Sequence, residues 1–169
     1  MVELNNGCIC CTVADDFIPT ITKLMASDRR PDHIVIETSG LALPQPLVNA
    51  FNWPDIREQV TVDGVVTVVD SAAVADGRFA DDHDAVQAQR EQDESLDHES
   101  PLEELFEDQI TCADMIVMNK TDLVDEADLP TLEGAIRDAT TRRVKLIRSN
   151  QTNMPGADVL LGLGVGSEA

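Results

Sequence analysis

The chain has 169 residues, enough for one domain with a substantial core. Its 12 Lys and Arg against 32 Asp and Glu give a formal charge of −20, which argues against nucleic acid and anionic membranes as partners, since both demand a basic surface. With no arginine-rich leader, no signal-type segment and no apolar run of bilayer-crossing length, a cytoplasmic location is expected.

In chain order, residues 2–4 read as a short strand feeding the turn Asn5-Asn6-Gly7 and the cluster Cys8-Ile9-Cys10-Cys11. Thr12 or the pair Asp15-Asp16 caps a helix whose apolar positions Phe17, Ile18, Ile21, Leu24 and Met25 share one face. Pro19 fits only in a first turn, which favours a start at Asp15 or Asp16. Arg29-Arg30-Pro31-Asp32 is a turn, and residues 33–36 make a second apolar strand, opened by His33 and ending at Glu37-Thr38-Ser39-Gly40. The next helix opens between Pro44 and Pro46 and runs toward Trp53-Pro54. Residues 65–69 form a third strand, which Asp70 closes.

Residues 76–108 hold thirteen acidic side chains against two Arg, a net of −11 and over half the total charge. This stretch reads as a solvated insertion with at most one loose helix; His83 and His98 within it are weak candidates for cation binding. Ser100-Pro101-Leu102-Glu103 combines a capping box with proline at the first helical position. The helix it starts presents Leu102, Leu105, Phe106, Ile110 and Ala113 on one face, with Cys112 as packing, and leads into Met115-Ile116-Val117-Met118. A helix near residues 128–140 and a last strand at 144–147 follow, with Ser149-Asn150 just past its end and a glycine-containing tail or linker start at the terminus. Strands alternating with helices at this spacing specify an α/β fold, a mostly parallel sheet with helices on both faces.

Three stretches carry chemistry. Four apolar residues that stop abruptly at Asn119-Lys120-Thr121-Asp122 suit a doubly buried strand with this tetrapeptide at its carboxyl end, where open α/β sheets bind ligands. An ionised Asp122 offers two acceptor oxygens to the two neighbouring N–H donors of a guanine edge; Asn119 would brace the base and Lys120 lay its stem along the ring. The tetrapeptide alone also suits an ordinary strand-to-helix turn.

Cys8, Cys10 and Cys11 fit a thiolate metal site with a coordination place left for an exchanging ligand, the competing reading being small buried hydrophobes. Soft ligands suit zinc or another late first-row ion without choosing one. Glu37 could hold magnesium through water and the Gly40 amide could meet a terminal phosphate, the competing reading being a helix-capping loop with Ser39 as cap. A phosphate-cradling loop ending in Gly-Lys is absent, because Lys23, Lys120 and Lys145 all lack a preceding Gly.

Gly7-Cys8-Ile9-Cys10-Cys11, then Glu37-Thr38-Ser39-Gly40-Leu41-Ala42, then Asn119-Lys120-Thr121-Asp122 resemble in this order the CobW-type members of the G3E (SIMIBI) P-loop GTPases, relatives of the nickel-insertion GTPases of urease and hydrogenase. The likeness extends over residues 2–163 and includes the insertion from Arg78-Phe79-Ala80 to Glu104-Leu105-Phe106. It implies a partial P-loop-type GTPase domain over residues 1–163, with an insertion at about 76–101 and a tail at 164–169; the family's P-loop and switch I would precede Met1, and its carboxyl-terminal domain would follow Ala169.

By the same resemblance, Glu37 and Gly40 match the switch II segment that serves catalysis. Asn119, Lys120 and Asp122 match the guanine motif, Ser149 falls in a second base-contacting loop, and Cys8, Cys10 and Cys11 match the metal motif. The implied ligands are GTP, Mg2+ and Co2+ or Zn2+. The implied role is a GTP-hydrolysing metallochaperone supplying cobalt to an acceptor protein, the cobaltochelatase of cobalamin biosynthesis. Two other readings stay open: a zinc-handling chaperone of the same family, and a metal-binding fragment that neither holds nor cleaves GTP.

Overall fold

Three short apolar runs build the sheet. In the computed structural model, which describes residues 17–28, 30–78, 80, 82–92 and 102–163, they are β1 (Val66–Asp70), β2 (Met115–Asn119) and β3 (Lys145–Arg148), ordered β1-β2-β3 and parallel throughout. The register sets Val66 opposite Met115 and Asp70 opposite Asn119, and on the other side Met118 opposite Arg148. The central strand is covered on both faces: Met115, Ile116 and Met118 are fully buried and Val117 nearly so. That burial is why its sequence is a continuous apolar run without alternation, and it contributes roughly 1.5–3 kcal/mol per side chain.

Parallel strands need crossover connections, and helices supply them. Between β1 and β2 lie α4 (Ser71–Ala75), α5 (His83–Gln92) and α6 (Leu102–Cys112); α7 (Leu129–Ala139) joins β2 to β3. Before β1 come α1 (Ile18–Met25), α2 (Pro44–Ala50) and α3 (Pro54–Arg57), and α8 (Ala157–Leu160) follows β3. Every second residue of a strand shares a face. Val69, Ile116 and Met118 accordingly meet Ile110 of α6 and Leu132 and Ile136 of α7 in the main core. This is the parallel sheet with helices that the alternating pattern required.

A second cluster forms around Phe17, Ile21, Ala50 and Ile56, where the Phe17 and Phe51 rings meet edge to face at 5.1 Å. Pro19 does fall in the first turn of α1. The caps expected at Thr12, Asp15, Asp16 and Ser100 lie outside the described residues, as does the strand expected at residues 2–4.

At the amino ends of the strands, the Asp114 carboxylate accepts from the Val65 N–H at 2.8 Å and pairs with Arg142 at 2.7 Å. Arg142 also donates to the Cys112 and Ala113 carbonyls, so one guanidinium ties the approach to β3 to the end of α6. The Cys112 thiol is buried there, and burial pushes its pKa above the ordinary value, Arg142 opposing and Asp114 and Asp108 adding to the rise.

Two expectations need correction. Residues 33–36 form no strand: His33 is exposed, Val35 is 78% exposed and Ile36 39%, and only Ile34 joins a core, packing against the Phe17 cluster. An apolar run becomes a strand only when a neighbouring backbone completes its ladder, and among the described residues none pairs with it. The acidic insertion, in turn, is not wholly solvated. Its helix α5 lends Val86 to a third cluster with Leu41, Leu102 and Leu105. Among the described residues no helix is long and apolar enough to cross a membrane.

Candidate functional site at the carboxyl edge of the sheet

Asn119 ends β2, and the backbone turns at once. Lys120 adopts φ 57° and ψ 32°, the left-handed region, and among the described residues it is the one non-glycine with positive φ. Such a conformation costs about 1 kcal/mol or more and persists only where the surroundings impose it. Here Thr121 imposes it from one side: its N–H and its Oγ1 both donate to the Ser149 carbonyl, at 3.2 and 3.0 Å. Leu123 N–H donates back to the Lys120 carbonyl at 3.0 Å, closing the 3-10 turn Thr121–Leu123.

The segment past β3 is equally ordered. Ser149 is buried, and its N–H donates to the Met118 carbonyl at 2.8 Å. The Asn150 side-chain oxygen accepts from the N–H groups of Thr152 and Asn153, at 2.9 and 2.8 Å. Asn119, Lys120 and Ser149 are thus gathered at one edge by strand register and by the Thr121 contacts. Asp122 lies on the same turn with its residue exposed, where a carboxylate is open to a ligand with paired N–H donors.

From the other side the turn meets β1. Lys120 Nζ lies 2.5 Å from Asp70 Oδ2, and Asp70 Oδ1 accepts the Ala73 N–H at 3.2 Å, capping α4. Asp70 therefore does more than terminate its strand, the role its surroundings in sequence had pointed to. Its sequence context, an Asp followed by Ser-Ala-Ala, offers a helix cap, but only the strand register sets that cap level with Asn119 and beside the turn.

Glu37 and Gly40 are exposed, and the contacts of their loop lead elsewhere. Ser39 closes a turn, its Oγ accepting from Leu41 N–H at 3.2 Å and its carbonyl from Ala42 N–H at 3.0 Å. The Gln109 side chain on α6 donates to the carbonyls of Gly40 and Ala42, at 2.8 and 3.0 Å. The Gln109 carbonyl in turn accepts from Thr67 Oγ1 at 2.9 Å. These bonds hold the Gly40 loop against α6, and α6 in turn to Thr67, which precedes Asp70 by three residues, roughly 10 Å along a strand. Gln109 carries no local sequence signal, because a lone Gln inside a helix is ordinary. The Leu41 side chain is buried between α5 and α6.

Cys8, Cys10 and Cys11 lie outside the described residues, as does His98. Among the described residues no group of three or more His, Cys, Asp or Glu is placed to hold a metal ion.

Comparison with known proteins bears on this edge. The family of CobW/HypB/UreG nucleotide-binding domains matches residues 1–146. A protein of a Sinorhizobium species named zinc chaperone CobW is 65% identical over the full chain, and one of the same name from Pseudomonas aeruginosa is 50% identical over 98% of it. A zinc-regulated GTPase metalloprotein activator 1 from Dictyostelium discoideum is 31% identical over 95%. The chain spans 48%, 44% and 34% of those proteins' lengths. No solved structure gives a significant match.

Proposed function

The chain belongs to the CobW/HypB/UreG family of nucleotide-binding domains, the G3E GTPases, and from that premise we propose that it is the guanine-reading and metal-carrying part of a GTP-dependent zinc chaperone. The observation that carries the reading is the Asn119–Asp122 turn: a left-handed lysine paired with Asp70, the next residue Thr121 pinned to the Ser149 carbonyl, and the Asp122 carboxylate exposed. That arrangement suits a flat base with paired N–H donors.

In this reading Asp122 accepts from the guanine edge, Asn119 braces the turn, Lys120 lays its stem along the ring, and the Ser149 loop closes the far side. Glu37 would hold Mg2+ through water, and the Gly40 N–H would meet a terminal phosphate; the metal would supply charge neutralisation for phosphoryl transfer from GTP to water. Glu37 and Gly40 are exposed and fit such contacts. Their loop must leave or flex from its seat on Gln109 to reach a nucleotide held at the edge, which is how a bound terminal phosphate would move a switch.

Cys8, Cys10 and Cys11 would carry the ion as cargo, with the open coordination place passing it to an acceptor. Zinc is favoured because the relatives are named for it. Cobalt delivered to a cobaltochelatase is the second reading, favoured by the likeness of residues 78–106 to the cobalamin-linked branch of the family, and thiolates accept either ion.

The test is a GTP titration of the intact protein with and without Mg2+, followed by competition between buffered Zn(II) and Co(II), read by the absorption of thiolate-bound cobalt. GTP-raised metal affinity, lost in Cys10→Ala and stronger for zinc, is the expected result. Metal affinity indifferent to both GTP and Cys10→Ala would overturn the assignment, and a preference for cobalt would select the second reading.

A further inference from the structure

Asp70 stands where a strand ends and a helix begins, and both of its oxygens are engaged. One caps α4 through the Ala73 N–H at 3.2 Å; the other meets Lys120 Nζ at 2.5 Å. A carboxylate clamped to a helix terminus is a fixed point, because the cap sets its rotamer. The lysine stem is the opposite, a chain of four rotatable carbons that loses much freedom when laid against a ring. The pair is partly screened from water, with 20% of the Asp70 side chain and 39% of the Lys120 side chain exposed. Strand register sets the height: Asp70 is the Cα partner of Asn119, so its carboxylate lies level with the residue just before Lys120.

We propose that Asp70 is a positioning residue for base recognition: by holding the Lys120 ammonium it fixes the lysine stem in the plane where a purine ring would stack. This rests on the reading of Asn119–Asp122 as the guanine site and gives Asp70, which that reading uses only as a contact of the turn, a role in affinity. Asp70 touches no ligand in this role and acts through Lys120. Preorganisation of this kind raises affinity by removing an ordering cost that the ligand would otherwise meet.

The test is a double-mutant cycle on GDP affinity in the intact protein. Asp70→Asn keeps an oxygen for the Ala73 N–H and removes the charge, so the cap survives while the tether weakens. Expected are a loss of about 10-fold in GDP affinity for Asp70→Asn and a similar or larger loss for Lys120→Met. The double variant should be within about 2-fold of Lys120→Met alone, with a thermal midpoint for Asp70→Asn close to that of the unchanged protein. A merely structural role would move the midpoint and would multiply with Lys120→Met. Should Asp70→Asn fail to fold, Asp70→Ser, which also supplies a capping oxygen, runs the same cycle.

Unchanged GDP affinity in Asp70→Asn, or losses that multiply in the double variant, would overturn the proposal while leaving the guanine site standing. Failure of the unchanged protein to bind GDP would overturn the guanine site and this assignment with it.

Discussion

Gln109 and Gly40, 69 residues apart in sequence, are joined by a 2.8 Å hydrogen bond from the side-chain amide of one to the carbonyl of the other. The same amide holds the Ala42 carbonyl at 3.0 Å, so both of its N–H donors are spent on one turn. Gln109→Ala should cost about 1–2 kcal/mol, a fall of roughly 2–8 °C in thermal midpoint for a chain of this size. Amide exchange at Leu41 and Ala42 should quicken well beyond that global loss. Unchanged exchange there would show that the turn is held by its own Ser39 contacts alone.

Leu41 is the other anchor of the same loop, buried against Leu102 and Leu105 with Val86 of the acidic helix beside them. Leu41→Ala should destabilise by about 2–4 kcal/mol through lost burial and a residual cavity. It should also raise protease sensitivity within α5, since Val86 loses its partner. If α5 is cleaved no faster than before, the acidic segment does not depend on the loop.

Ser71 is fully buried and, among the described residues, its Oγ is the one buried side-chain polar atom without a hydrogen-bond partner. A buried hydroxyl without a partner carries its desolvation cost uncompensated. Ser71→Ala, in the first turn of α4, should therefore raise stability by about 1 kcal/mol. Chemical denaturation checks this, and a loss of stability would mean that the hydroxyl is satisfied in solution.

The Cys112 thiol gives a pH dependence. Burial, the largest cause, raises its pKa in the folded chain, outweighing the nearby Arg142 charge. In the unfolded chain the thiol loses its proton first as pH rises, so the folded state binds more protons in that interval and stability must fall. The contribution is complete below the unfolded thiol pKa, about 8.5, and is lost as pH climbs from there through the folded value. Cys112→Ala should flatten the alkaline limb of stability against pH, and in the unchanged protein the thiol should resist alkylation near neutral pH. Rapid labelling of the native protein would contradict its burial.

Much of this was legible in the sequence, and the exceptions share a cause. Met115 to Met118 could be read as a doubly buried strand because burial on both faces leaves no place for a polar residue. Pro19 and the apolar face of α1 fixed that helix from local chemistry. His33 to Ile36 shows the same kind of apolar run, yet forms no strand, since ladder formation depends on a partner that no local pattern encodes. Asp70 and Gln109 were invisible as site-shaping residues for a related reason: their partners lie 50 and 69 residues away, and only the register of β1 against β2 and the seat of α6 bring them together. The cysteine cluster remains a matter of residue chemistry and family likeness.

The central claim, that the edge after β2 reads guanine through the Asp122 carboxylate, is tested most directly by exchanging the base and the residue together. GDP and xanthosine diphosphate affinities would be measured for the intact protein and for Asp122→Asn. The carboxylate should prefer GDP strongly; Asp122→Asn, which replaces one acceptor by an N–H donor, should lose at least about 10-fold for GDP and gain for the xanthine nucleotide, whose edge carries an acceptor where guanine has a donor. Equal affinity for the two nucleotides in the unchanged protein, or the same loss of both in Asp122→Asn, would contradict the claim.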